Sequence, residues 1–186
     1  ALRAPLPRAT RDFTRVLWSP QRERLPRLSA EAVPASCSSG CREFSLPTGG
    51  TMRLDPIGTF GEGHKGYVAS SSDPLAWRNI GDVEFVFGHS GVPWTESRCT
   101  IASVQRSASC VHGSGACTAI LLKEPCWNST IAASKPGYPA LLPSRIENVL
   151  PSDSRSLSPA LAAGRWYMDR AEGSLYFWPT SNATRN

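Results

Sequence analysis

The chain has 186 residues, a formal net charge of +5, 40% apolar and 9% aromatic residues, 16 prolines and 15 glycines. That is enough chain for one ordinary hydrophobic core, and the proline and glycine content implies many turns between short strands. The longest apolar run, residues 116–122, is of strand length and falls far short of the roughly eighteen residues that cross a bilayer, so no membrane insertion is expected.

Residues 1–30 carry seven arginines, Arg3, Arg8, Arg11, Arg15, Arg22, Arg24 and Arg27. A nucleic-acid arm is disfavoured because no recognition helix, zinc finger or RNA-binding signature follows. A segment whose arginines pack their stems and pair with carboxylates is expected instead. Phe13, Val16, Leu17 and Trp18 give it a candidate docking strand. The organisation expected is a basic arm or docking strand over 1–30, a β-module over 31–180 and a tail over 181–186.

Residues 43–54 alternate around Gly49-Gly50 and predict a hairpin. Residues 56–66 read as Gly-rich surface loop, and Ser70-Ser71-Ser72-Asp73-Pro74 as a turn. Residues 82–87 alternate, with Val83, Phe85 and Phe87 inward and Asp82 and Glu84 outward. Further strands are predicted over 98–104, 117–122, 145–149, 165–169 and 174–178, with helical spacing only near 157–163. The last two strands form an aromatic hairpin. Trp166 and Met168 lie on one face of its first strand and Tyr167 and Asp169 on the other; Leu175 and Phe177 are likewise opposed to Tyr176 and Trp178. Both faces carry large apolar groups, so both are expected to be covered. The count of strands predicts an all-β fold, an antiparallel β-sandwich or flattened barrel with long disulfide-tied loops.

Six cysteines and two N-glycosylation sequons, at Asn128 and Asn182, point to an extracellular or secretory-pathway location. No signal-peptide pattern opens the sequence, which is the expectation for a leader already cut away. Six cysteines leave many connectivities open; the set favoured is Cys37 with Cys41, Cys110 with Cys117 and Cys99 with Cys126. His64, His89 and His112 suggest zinc, but no Cys-x-x-Cys pair accompanies them, so neither metal nor cofactor is expected. Gly88-His89-Ser90-Gly91-Val92 approaches a hydrolase nucleophile elbow. Val92 stands where the second glycine belongs and no Asp and His pair follows in order, so a turn is expected there.

Four groups of residues carry a family likeness: Leu2-Arg3-Ala4-Pro5; Trp77-Arg78-Asn79 with Asp82-Val83-Glu84; Trp94-Thr95-Glu96-Ser97-Arg98; and Ile146-Glu147-Asn148 with the closing Gly-Arg-Trp-Tyr-Met-Asp-Arg hairpin. In this order they resemble the β-sandwich segment inserted among the early coils of extracellular right-handed parallel β-helix proteins. That pectate-lyase-like group includes β-xylosidases and fucosidase-like glycosidases. The stretches around Cys37 and Cys41 and over 110–126 depart from that pattern. The resemblance implies an accessory, non-catalytic module of a secreted glycoside hydrolase or polysaccharide-degrading protein. Its partners would be the β-helix coils of the same parent chain, with polysaccharide as a further ligand. The alternative is an extracellular adhesion or cell-wall module that binds another protein.

Glycoside hydrolysis needs two carboxyl groups flanking the bond, one kept protonated. Glu84, Glu96, Glu147 and Asp169 lie nearest the family-like patches. The expectation is nonetheless structural, with Glu84 and Asp169 on exposed strand faces and Glu96 and Glu147 paired to Arg98 or Arg145 or accepting backbone hydrogen bonds. No catalytic residue is assigned. Trp94, Trp127 and Trp178 are candidates to stack on a sugar face and Arg98 to donate hydrogen bonds to it, whereas Trp77, Trp166 and Phe85 are expected in the core.

Overall fold

The computed structural model describes residues 1–5, 17–18, 24–33, 41–57, 66–88, 96–108, 110, 116–126 and 142–180. These residues form thirteen strands: β1 (Leu2–Pro5), β2 (Leu17–Trp18), β3 (Arg24–Leu25), β4 (Ser29–Ala32), β5 (Arg42–Ser45), β6 (Thr51–Pro56), β7 (Gly66–Ala69), β8 (Glu84–Gly88), β9 (Glu96–Ser107), β10 (Cys117–Leu122), β11 (Arg145–Glu147), β12 (Trp166–Asp169) and β13 (Ser174–Phe177). Eight of them close an antiparallel barrel in the order β10-β7-β6-β5-β4-β11-β8-β9, with β9 pairing back to β10. Of the two all-β forms expected from the sequence, the closed barrel is the one formed. Strands β8, β9 and β10 follow one another, and β11 returns to lie beside β8, a Greek-key order.

Alternation fills the barrel. Phe44, Leu54, Tyr67, Phe85, Phe87, Ile120 and Ile146 are fully buried in one cluster, and Tyr67 stacks on Phe85 with ring centres 5.6 Å apart. An eight-stranded barrel is just wide enough for such side chains to fill it. The hairpin predicted around Gly49 and Gly50 is present as β5 and β6, and Gly49 takes φ +91° in its turn. Part of the stretch read as loop is strand: Gly66 begins β7, and a Cβ there would lie 1.9 Å from the Ile120 carbonyl oxygen. Its composition suggested a turn, whereas the glycine is required by the close approach of β10. The rest of that loop, 58–65, lies outside the described residues, as do residues 89–95 with the near-elbow turn and the three histidines.

The terminal hairpin stands outside the barrel in a second sheet, ordered β1-β13-β12. Residues 26–28 run parallel along the free edge of β12, where Leu28 N–H donates to Trp166 O (2.7 Å) and Trp166 N–H to Pro26 O (3.1 Å). Residues 1–5 and 26–32 are therefore built into the two sheets, and the boundary expected between residues 30 and 31 falls inside β4. One face of the hairpin packs Tyr167, with Tyr176 and Trp178 alongside, on Leu28, Leu150, Leu157 and Ala162. The helix expected near 157–163 is the single turn Pro159–Ala162.

Asn148 joins barrel to sheet. It is fully buried at φ +63°; its Nδ2 donates to Met168 O (2.9 Å), and its Oδ1 accepts from Met168 N–H (2.9 Å), so the side chain pairs with β12 as a neighbouring strand would. Asn148→Ala leaves both backbone groups unpaired in the interior and is expected to cost about 2–4 kcal/mol in urea unfolding. Asn148→Gly, which removes the conformational penalty alone, should recover little of that loss.

Cys99 is bonded to Cys126 and Cys110 to Cys117, with Cα separations of 5.6 and 5.7 Å. Cys41 is also disulfide-bonded, and Cys37 lies outside the described residues. Such pairing belongs to an oxidising compartment. Among the described residues no helix is long and apolar enough to cross a membrane.

Candidate functional site

The outer surface of β4, β11, β8 and β9 carries a ladder of charges. Strand register places Glu147 of β11 directly opposite Glu84 of β8, and Arg145 opposite Val86, which in turn faces Arg98 of β9. Like charges opposite one another repel. Two arginines bridge them. Arg27 Nη1 lies 2.7 Å from Glu84 Oε2 and 3.5 Å from Glu147 Oε2, while Arg98 Nη1 lies 3.2 Å and 2.6 Å from the same atoms. Arg145 holds Glu147 from the other side (2.7 Å), and Glu96 receives both Arg98 (2.6 Å) and Arg145 (2.8 Å). Trp166 roofs the cluster, with the Arg27 guanidinium 4.8 Å from its ring centre.

Electrostatics follow from this packing. Burial would raise the Glu147 carboxyl, yet hydrogen bonds and charge from Arg98 and Arg145 hold it below the ordinary glutamate range. Burial would likewise raise Glu96, and Arg145 and Arg98 lower it. Burial pulls Arg27 down from its usual value in spite of Glu84 and Glu147. The geometry therefore brings two carboxylates together, as hydrolysis requires, but commits them to arginine. A Glu147 that ionises more readily than usual is poorly suited to act as a general acid.

Glu84 and Asp169 were expected on exposed faces and are not there. They are 2% and 0% exposed. Alternation correctly assigned the side of the strand, and the covering arises from segments far along the chain: Arg27 and Arg98 over Glu84, and Arg78 beside Asp169 (2.9 Å). Arg78 also pairs with Glu172, and Asp82 with Arg170 (3.2 Å). Residues 78 and 82 thus meet the terminal hairpin in ion pairs at the junction between barrel and sheet. Glu96 and Glu147 pair with Arg98 and Arg145 as expected.

A polar cavity of about 330 Å³ opens beside this cluster, lined among others by Arg24, Arg27, Glu31, Glu96, Arg145 and Glu147. Arg98 does not line it; its side chain is 11% exposed and its hydrogen bonds go to Glu84, Glu96 and Glu147. Trp178 is half-buried and stacks on Tyr176 with ring centres 6.5 Å apart. Trp94, Trp127, Asn128 and Asn182 lie outside the described residues. Trp77, Trp166 and Phe85 are in the core at 7%, 0% and 0% exposure. The sequence reading expected the opening arginines to pair with carboxylates without singling out Arg27, and it gave no role to Arg78 or Asn148. Asn148 was placed inside a strand predicted over 145–149, whereas β11 ends at Glu147.

No protein-family model, curated protein or solved structure matches the chain.

Proposed function

We propose that the chain is an accessory, non-catalytic β-module of a secreted carbohydrate-active protein of the parallel β-helix kind. It packs on the coils through its outer sheet and places the Arg98 cluster and its cavity along one wall of the substrate groove. The observation that carries the reading is a gradient of burial across one face of that sheet. By register Trp166, Phe177 and Leu2 form one row and Met168, Leu175 and Ala4 the next. Trp166 and Met168 are fully buried, Phe177 and Leu175 half-buried, Ala4 exposed and Leu2 63% exposed. The apolar face runs out from under its cover at β1, an edge strand, as a surface made to receive another layer would.

The arginine-saturated carboxylates support the non-catalytic part of the reading, and the resemblance supports the choice of parent. The coding frame on either side of these residues tests it. Short repeating strand-forming coils with clustered Asp or Glu are expected there. Unrelated adhesion modules in their place would overturn the proposal and favour a protein-binding role.

A further inference from the structure

We propose that β1 is a releasable strap, latched to the outer sheet by the side chain of Arg3, and that its opening turns β13 into a strand-accepting edge. This concerns what holds β1 in place, and it stands whether or not the sheet docks on β-helix coils.

The two edges of this sheet are held in different ways. Along β12, residues 26–28 reach into the interior, with Arg27 5% exposed and Leu28 fully buried in the cluster under Tyr167. That edge opens only together with the core. β1 lies on the other edge, pairs with β13 alone among the described strands, and has all four residues exposed. Pro5 has no N–H, so only Leu2, Arg3 and Ala4 bring backbone donors. A strand with so little buried surface and so short a ladder opens locally at small cost.

Arg3 supplies the remaining hold. It stands opposite Tyr176 in the ladder, and its guanidinium lies 5.6 Å from that ring's centre. Its Nε and Nη2 both donate to Ser174 Oγ (3.0 Å each), and Nη2 also donates to Glu172 Oε2 (3.2 Å). The seat is fixed by groups outside β1. Glu172 accepts from the Tyr176 hydroxyl (2.8 Å) and pairs with Arg78 of the β7–β8 connection, and its N–H donates to Asp169 Oδ1 (2.8 Å). The seat therefore persists when the strand leaves, and the strap closes again on the same contacts. While it is open, β13 is the sheet edge, and its backbone groups that faced β1 are offered to an incoming strand. The side chains of Arg3 and Glu172 are 58% and 39% exposed, so the ionic part of the latch is weakened by salt.

Water-exchange NMR of the ¹⁵N-labelled full chain, which resolves fast amides, reads the opening once rates are corrected for sequence. Arg3→Gln should speed exchange of the Leu2 and Ala4 amides about three- to tenfold, with β12 and β8 unchanged. Arg3→Lys keeps the charge but loses the planar fork, and should fall between the parent and Arg3→Gln. Ser174→Ala removes an acceptor of the seat without altering β1, and should speed the same amides. Raising salt from about 0.05 to about 1 M should speed them in the parent and not in Arg3→Gln. The proposal is overturned if Arg3→Gln and Ser174→Ala leave these amides unchanged, if salt has no effect on the parent, or if β12 opens together with β1.

Discussion

Arg27→Ala is expected to destabilise the chain by about 3–5 kcal/mol, because it leaves two buried, mutually repelling glutamates with one bridging cation fewer. The side chains of Arg27 and Glu84 are each 3% exposed, so solvent cannot replace the lost partner. The contact with the Trp166 ring is lost as well. For a domain of this size the change corresponds to a fall in melting temperature of about 10 °C. A paired replacement separates this cost from the net worth of the ion pair. Arg27→Met with Glu84→Leu removes one charge of each sign, leaving Arg98 on Glu147, and should return to within about 1–2 kcal/mol of the parent, since a buried ion pair gains little over packed apolar groups. Equal destabilisation in the single and double variants would show that the cluster acts through packing alone.

The cluster also sets an acid limit. Glu147 and Glu96 have folded-state pKa values below their ordinary value of 4.5. The stability they contribute is therefore present above that value and is lost as the pH falls through the lowered folded-state values. Their share of the acid-limb slope in a stability profile should disappear when Arg98 and Arg145 are replaced together.

Opening the Cys99–Cys126 disulfide by a double change to alanine is expected to cost about 3.5 kcal/mol, against about 2.5 kcal/mol for Cys110–Cys117. The order follows from sequence separations of 27 and 7 residues, the longer loop having more freedom to lose in the unfolded chain. Cys99 is also fully buried among the barrel's core residues, so its loss adds a small cavity. Denaturant midpoints of the two double variants provide the comparison, and a reversed order would contradict the loop-entropy account.

What the sequence made legible follows from the period of two along a strand. Val83, Phe85 and Phe87 declared their inward face, residues 117–122 match β10 end to end, and the aromatic hairpin had its faces correctly sorted. Gly66 was misread because glycine marks a loop and a close backbone approach alike, and only the position of β10 distinguishes them. The site was less legible than the fold. Alternation placed Glu84 outward, but nothing local indicates that Glu147 would lie opposite it or that Arg27, in an arginine-rich opening segment, would close over both. Asn148 was unreadable for the same reason, since it serves a strand that begins eighteen residues later, at Trp166.

Amide hydrogen exchange decides whether the outer sheet is a docking face. Exchange is measured at β1 and β13 in the chain alone and in the same residues within the longer protein that the proposal requires. Amides of residues 2–4 are expected to exchange fast in the chain alone and to become strongly protected in the longer protein, while the barrel strands β8 and β11 are unchanged. Equal exchange of β1 in both settings would contradict it.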